Sequence, residues 1–198
     1  MRLERFTRQI SHASIVILLL AVASSRAFAQ GDHDHAVAGQ HHEMTAEQQR
    51  RASLLVKEVR EATAGFQTPD QLPQDYQLMF GCVSGGDFGA MGLHFVNGSL
   101  LGDGEVKADS PEVVLYEPLP NGRMRITGAD YFVYQADWDK NHPHDPPQLD
   151  GQLFHLFESP NRFGLDPFYT LHVWAWKDSP TGTFVNWNHN VSCNAYSG

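Results

Sequence analysis

The chain has 198 residues, with 14 basic, 23 acidic and 11 histidine side chains, and its formal net charge is −9. An acidic surface repels polyanions, so this charge argues against nucleic acid and anionic membranes as partners and favours cations, divalent metals included. Cys82 and Cys193 are the two cysteines, and we expect them to pair in an oxidising compartment. A thiolate ligand or nucleophile is the alternative.

The first 29 residues have the features of a secretory signal peptide. Three arginines precede the apolar run ASIVILLLAVA, and Ala27-Phe28-Ala29 supplies a small-x-small cleavage site. The apolar run is too short for the alternative, a permanent membrane anchor. Cleavage after Ala29 removes four basic residues and one acidic residue, leaving 10 basic and 22 acidic residues and a formal charge of −12. We therefore expect a periplasmic or secreted protein.

Residues 30–44 form a polar segment without hydrophobic periodicity, which predicts disorder. A short tract of this kind binds metal weakly through its histidines, and a solvated tail is the alternative. Its histidines are His33, His35, His41 and His42. We expect residues 45–198 to form a single β-rich domain.

A helix over roughly residues 46–64 is the first predicted element of that domain. Thr45 is a good N-cap, and Gln48 stands at the third helical position of a capping box. Gly65 favours the end of the helix. Apolar residues recur at helical spacing and form one stripe suited to packing on a sheet: Ala52, Leu55, Val59 and Ala62.

From Tyr76 onward the pattern is typical of strands joined by short turns. The predicted strands are 76–82, 91–97, 113–117, 123–134, 152–157 and 168–176. We therefore predict a mainly β fold with one N-terminal helix, as an antiparallel barrel or strongly curved sheet similar in size to a cupin or calycin. A disulfide between Cys82 and Cys193 would join the first strand to the last ordered segment.

Three strings, GAMGLHFVN, LYEP and PFYTLHVWAWKDSPTGTFVNWNHNVSC, resemble a family of small secreted bacterial proteins of unknown function. Members of that family carry G-x-M-G-x-H near the start and L-H-x-W-x-W…P-x-G-x-F…N…C near the end. The likeness covers most of residues 55–193 and carries no activity with it. It implies that His94 and His172 belong to one site.

Three predicted strands each carry one ionisable side chain on a largely apolar face. Because strand side chains alternate between faces, His94, Glu117 and His172 are each expected to point inward. A buried carboxylate needs a positive partner, and two imidazoles with one carboxylate form a known metal-binding set. We therefore predict that these three residues bind a divalent transition metal: Zn, Fe, Mn or Cu. The alternative is an ordinary core in which Glu117 pairs with Arg123 or Arg125.

Two further residues are candidate catalytic groups. His155 lies among apolar residues in QLFHLF, and it is a candidate general base, fourth ligand or core residue. Tyr116 belongs to a set of aromatic residues suited to lining an apolar pocket, the others being Tyr131, Tyr134, Trp174 and Trp176. The loop 137–147 contains His142, His144 and Asp145, and is either a metal-binding lid or a solvated loop stiffened by prolines.

Three classes of function are consistent with these features, each with a small molecule or a metal ion as partner. The first is a metal-dependent enzyme acting on a small molecule. The second is a metal-binding or metal-handling protein of the cell envelope, in which the histidine-rich tail collects the ion. The third is a non-catalytic ligand-binding barrel with structural histidines. The sequence contains no nucleophile elbow, phosphate loop or dinucleotide fingerprint.

Overall fold

A computed structural model of the chain describes residues 44–198. The predicted signal peptide and nearly all of the histidine-rich segment lie outside the described residues. Within 44–198, no helix is both long enough and apolar enough to cross a bilayer. The elements are α1 (Ala46–Ala62), β1 (Tyr76–Ser84), β2 (Ala90–Asn97), α2 (Gly98–Leu101), β3 (Val113–Pro118), β4 (Met124–Tyr134), α3 (Gln135–Asp139), β5 (Gln148–Leu149), β6 (Gln152–Leu153), β7 (His155–Phe157) and β8 (Phe168–Val173), with short 3₁₀ turns at Pro69–Gln71 and Gly86–Phe88.

The N-terminal helix α1 is confirmed, together with its capping box. The Thr45 hydroxyl accepts from the Gln48 N–H, and the Gln48 side chain accepts from the Thr45 N–H. The helix ends slightly before the predicted position because Thr63 leaves the helical conformation. The Thr63 hydroxyl donates to the Val59 carbonyl at 2.6 Å. The same carbonyl also accepts from the Thr63 N–H at 3.0 Å, so the hydroxyl adds a second bond at the helix end.

The strands form one antiparallel sheet of six, in the order β1-β2-β3-β4-β8-β7, and β5 pairs with β6 in a separate hairpin. The predicted antiparallel sheet is confirmed, but a closed barrel is not found, because the edge strands β1 and β7 are not hydrogen-bonded to each other in the described part of the chain. Side chains from the two edges still meet. Phe80 of β1 contacts Phe163, beyond β7, with 5.5 Å between ring centroids.

Two predicted strands are shorter in the structure. The segment QLFHLF is interrupted at Phe154, whose N–H donates to the Pro147 carbonyl and whose side chain is buried. As a result β6 pairs with β5, whereas β7 pairs with β8. Strand β8 ends at Val173, before the predicted end at 176, because the Ala175 N–H turns back to the Val173 carbonyl at 2.8 Å.

Strands β4 and β8 divide their side chains between two cores. One face packs against Leu55 and Val59 of α1 and is made by Ala129, Tyr131, Val133, Tyr169, Leu171 and Val173. The alternate residues belong to the other face, where Phe132 and Phe168 pack with Val113 and Leu115 of β3. The period of two therefore places Asp130 and His172 on the face away from the helix.

The predicted disulfide between Cys82 and Cys193 is confirmed, with Cα atoms 5.7 Å apart and 111 residues of sequence separation. It ties the C-terminal segment to β1. The same segment pairs with the start of β2 through a bridge between Ala90 and Asn188. The disulfide and this bridge hold the residues that follow β8 against β1 and β2, at the other edge of the sheet.

Candidate metal centre

Three buried side chains converge on the sheet face away from α1: His94 of β2, Asp130 of β4 and His172 of β8. One potential ligand atom from each residue lies within 4.8 Å of the other two. Among residues 44–198 this is the one group of three or more His, Cys, Asp or Glu side chains with such geometry. The arrangement is therefore able to hold a metal ion.

The sheet register explains why these residues meet. Asp130 and His172 are direct cross-strand partners, and such side chains stand side by side on one face. His94 is opposite Leu115 on the intervening strand β3. Its backbone is therefore two strand spacings from β4, roughly 9–10 Å. The side chains of His94 and Asp130 reach toward each other over β3.

A glycine two residues before His94 fixes the ring of that histidine. The Gly92 carbonyl lies 3.2 Å from His94 Nδ1, which favours a proton on Nδ1 and leaves the Nε2 lone pair free for a ligand. Gly92 has a φ of 88°, and a Cβ there would clash with the Tyr116 carbonyl oxygen. Only glycine combines this conformation with so close an approach. The local sequence MGLH therefore has a structural reason.

Asp130 is oriented by a neighbour on β8. The Thr170 hydroxyl donates a short hydrogen bond to Asp130 Oδ1. The same carboxylate oxygen lies 3.3 Å from His172 Nδ1. Among the ion pairs of the described residues, none joins Asp130 to a lysine or arginine. A charge on this carboxylate therefore has no basic side chain beside it.

Of the three clustered residues, His172 has the fewest hydrogen bonds to its side chain. Both of its ring nitrogens are fully buried, and neither has a hydrogen-bond partner among the described residues. Its Nδ1 approaches Asp130 Oδ1 to 3.3 Å, but without the alignment of a hydrogen bond. Buried polar groups normally have partners, and an unsatisfied one costs about 1–3 kcal/mol.

Burial sets the protonation of the group. It lowers the pKa of His94 to about 4, with the neighbouring His172 adding to the effect. It lowers the pKa of His172 to about 3. Both imidazoles are therefore neutral at pH 7, the form that binds metal. Burial raises the pKa of Asp130 to about 6, against the opposing effects of His94 and Thr170. The carboxylate is still mostly ionised at pH 7.

The carboxylate of the group is Asp130, whereas Glu117 was the predicted ligand. Glu117 lies on the same strand face as Leu115 but two residues beyond it, toward the end of β3. Its Oε1 accepts from Arg125 Nε at 2.8 Å, and its Oε2 accepts from Lys177. Two cations therefore balance the buried charge, and the alternative pairing of Glu117 with Arg125 is the one observed.

Tyr116 lies away from the cluster and does not occupy the place predicted for a catalytic group. It is fully buried on the opposite sheet face, with Leu93 and Ile126. Its hydroxyl donates to the Phe66 carbonyl at 2.6 Å. Burial raises the pKa of this hydroxyl above its usual range. The side chain therefore secures the segment after α1.

His155 was predicted to face the interior, and the structure places it at the sheet edge with an exposed side chain. The interruption at Phe154 separates it from the buried run to which it was assigned. It is opposite Thr170 in the register, so it neighbours the residue that orients Asp130. It is not among the three clustered side chains.

The aromatic residues predicted to line a pocket divide between several places. Tyr134 lines a cavity beside the cluster, and the Trp174 ring centroid is 5.9 Å from that of His172. Tyr131 lies under α1 instead. Trp176 follows the end of β8, and its indole N–H donates to the Thr63 hydroxyl at 2.9 Å.

The loop 137–147 has an internal structure of its own. The His142 ring stacks on Trp138 with 3.9 Å between centroids, and the Trp138 indole N–H donates to the Asp145 carbonyl at 2.7 Å. None of its histidines lines the cavity beside the cluster. The structure therefore supports the alternative of a stiffened surface loop.

The register partner of His172 was missed in the sequence. Asp130 stands in GADYFVY, between strongly apolar residues, and alternation assigns it to the face of Phe132 and Tyr134. A lone carboxylate at such a position is the signal that was available. To assign this carboxylate to the site, one must know that β4 pairs with β8, and strand periodicity alone does not give the pairing of strands.

No family model, curated protein or solved structure matches the chain. The resemblance to small secreted bacterial proteins stays a prediction.

Proposed function

We propose that the protein binds one divalent transition-metal ion, Zn, Fe, Mn or Cu, through His94, Asp130 and His172, and presents it to a small molecule. The observation that carries this proposal is that both ring nitrogens of His172 are buried and have no hydrogen-bond partner among residues 44–198. A metal ion would give one of them a partner. It would also supply the positive charge that Asp130 lacks.

The donor set favours an open metal site. Two imidazoles and one carboxylate leave coordination positions free, whereas structural zinc sites are usually closed by four protein ligands. An ion with free positions acts as a Lewis acid toward a bound molecule or activates a bound water. These features support a metal-dependent enzyme acting on a small molecule.

The proposal places the protein in the periplasm or outside the cell. The signal-like N-terminus supports that location, and so does the disulfide, since such bonds persist in oxidising compartments. A metal-handling role in the envelope is the second candidate. It differs in using the tail histidines at 33, 35, 41 and 42 to collect ions.

Metal content tests the proposal. The mature chain, purified without an affinity tag, is expected to bind one equivalent of Zn²⁺ or Co²⁺ and to melt at a higher temperature with it. His172→Ala and Asp130→Asn should lose this equivalent. His142→Ala is the matched control, because its imidazole is outside the cluster. A variant with all four tail histidines changed to alanine separates weak binding by the tail from binding by the cluster.

The outcomes discriminate between the candidates. If His172→Ala binds metal as tightly as His142→Ala, the proposed centre is wrong. If the tail variant loses most of the bound metal while the cluster variants retain it, the metal-handling role is the better explanation. Absence of any stoichiometric metal or thermal shift in the unsubstituted chain also overturns the proposal.

A further inference from the structure

The three clustered residues form part of the wall of a cavity that is otherwise largely apolar. The cavity volume is about 60 Å³, several times the minimum that a single water molecule requires. Its polar lining groups are His94, Asp130, Thr170 and His172, with the hydroxyl-bearing Tyr134, and none of the described residues lining it is a lysine or arginine. Polar contacts for a guest are therefore concentrated at the cluster.

A continuous wall of phenylalanine rings leads from the cluster toward the surface. Phe132 stacks on Phe168 with 4.5 Å between centroids. Phe168 stacks in turn on Phe157 at 5.1 Å, with the two rings nearly parallel. Phe163 packs beside both of these rings, with its centroid 6.3 Å from that of Phe157 and 6.2 Å from that of Phe168. Such a wall favours a flat or chain-like apolar guest, because it offers dispersion contacts and almost no hydrogen bonds.

The mouth of the cavity is formed at an irregular point of the edge strand β1. Its register changes between Met79, opposite His94, and Cys82, opposite Leu93, so Phe80 and Gly81 bulge from the strand. Phe80 has a φ of 64°, a conformation that bulky residues rarely adopt. Bulges of this kind re-aim side chains beside functional sites. Here the bulge turns Phe80 onto Phe163, across the opening.

Phe80 lies over the mouth of the cavity and is partly exposed to solvent. Phe80 is 46% exposed and Met79 is 40% exposed, yet both residues line the cavity. Phe80 belongs to the edge strand β1, which shares no ladder hydrogen bonds with β7 among residues 44–198. Its ring instead contacts Phe163, which follows β7 in the chain. Rotation of one side chain therefore opens the cavity without breaking the sheet.

From these features we infer that the cavity binds a small, mainly apolar molecule with one oxygen-bearing polar group, and that Phe80 is the movable part of its entrance. The apolar body, one ring or a chain of a few carbons, lies along the phenylalanine wall. The polar group faces Thr170 and the cluster. Only this orientation rests on the proposed metal site, because the apolar contacts do not require an ion.

Binding of 4-fluorobenzyl alcohol to the mature chain, followed by ¹⁹F NMR, tests the inference. We expect a saturable shift for this probe and none for a fully polar probe such as 3-fluoro-1,2-propanediol. Addition of Co²⁺ should then broaden the ¹⁹F signal of the bound probe, because the ion would lie within the same cavity. Saturable binding of the probe without any effect of Co²⁺ would leave the cavity assignment intact and argue against the metal centre. Stoichiometric Co²⁺ binding without binding of the probe would overturn the inference instead.

Substitutions at the mouth provide the second test. Phe80→Ala removes a ring from the cover and should weaken binding of the probe about two- to tenfold, mainly through faster release. Phe88→Ala is the matched control, since Phe88 is 63% exposed and does not line the cavity. Both side chains are partly or largely exposed, and far-UV circular dichroism checks that both variants fold. Equal affinity and release rate in the two variants would rule out Phe80 as the entrance.

Discussion

Asp130 and His172 face each other across β4 and β8, with the carboxylate Oδ1 3.3 Å from the ring Nδ1. The pair is buried, and the histidine finds no aligned hydrogen bond among the described residues. Thr170, two residues before His172, holds the carboxylate from the same strand. The geometry of the proposed centre therefore depends on a residue that is not itself a ligand.

Removal of the Thr170 hydroxyl should weaken the metal site without unfolding the protein. Groups that orient metal ligands typically contribute 10–100-fold to affinity, so Thr170→Val is expected to lower Zn²⁺ affinity by about that factor. Calorimetric titration measures it, and Thr170→Ser, which keeps the hydroxyl, is the control. Unchanged affinity in Thr170→Val would show that Asp130 needs no orientation by this bond.

The buried carboxylates of Glu117 and Asp130 should respond differently to neutralisation. Glu117 is held by Arg125 and Lys177, so Glu117→Gln is expected to lose about 1–3 kcal/mol of unfolding free energy and to retain the metal. The loss is modest because Arg125 is largely exposed and solvent screens its charge. Asp130→Asn should lose the metal. Urea unfolding and metal content on both variants check this, and loss of metal in Glu117→Gln alone would restore the ligand set with Glu117.

A third buried carboxylate, Glu112, should make the stability of the protein depend on pH. Burial raises the pKa of Glu112 to about 8, and the negative charges of Asp130 and Asp103 add to the effect. Glu112 accepts from the Phe132 N–H and shares a surface cleft with Glu105 and Lys107.

A raised folded-state pKa means that the native state favours the protonated acid. The resulting stability is complete below the unfolded value near 4.5 and is lost as the pH rises toward about 8. Glu112→Gln keeps the acceptor oxygen without the charge, so its advantage over the parent should grow by a few kcal/mol, in order of magnitude, over this range. Urea midpoints at several pH values measure the difference. A constant difference between the two proteins would contradict the expectation.

The disulfide should contribute substantially to stability. It closes a loop of more than 100 residues, for which the chain-entropy model gives about 4–5 kcal/mol. A double variant, Cys82→Ser with Cys193→Ser, is expected to unfold at a much lower urea concentration, and dithiothreitol should reproduce the effect on the parent protein. An unchanged midpoint after complete reduction would show that the C-terminal segment is secured by its other contacts.

The strained backbone at Phe80 gives a prediction that separates conformation from contact. Glycine accepts a φ of 64° freely and alanine does not, so Phe80→Gly should be about 1 kcal/mol more stable than Phe80→Ala. Both variants lack the ring and therefore the contact with Phe163. Thermal unfolding of the two variants makes the comparison, and a less stable glycine variant would mean that the bulge relaxes after substitution.

Residue alternation was sufficient to place His94 and His172 on the same sheet face, because the period of a strand is local information. It was insufficient for the carboxylate. Glu117 and Asp130 both lie on that face, and the choice between them depends on which residues are opposite each other across strands. Register is set by long-range packing and bulges, such as the one between Leu115 and Tyr116.

The interior position predicted for His155 failed for a related reason. The six residues 152–157 all have high strand propensity, which predicts one continuous strand. Phe154 instead enters the core under α1 and divides this segment into two strands. The burial of one large ring there outweighs the continuity of the strand. The predicted barrel likewise required edges that pair, and the described edges meet through Phe80 and Phe163 instead.

The division of β4 and β8 between two cores has an evolutionary consequence. From Ala129 onward in β4 and throughout β8, odd-numbered residues support α1 and even-numbered ones surround the cavity. Point substitutions at positions such as Phe132 or Phe168 can therefore change which molecules the cavity binds without disturbing the packing of α1 on the sheet. A one-residue insertion in β8 would instead exchange the contents of the two cores, carrying Leu171 to the cavity and His172 beneath the helix. Diversification within this architecture is expected to proceed by replacement and not by changes of strand length.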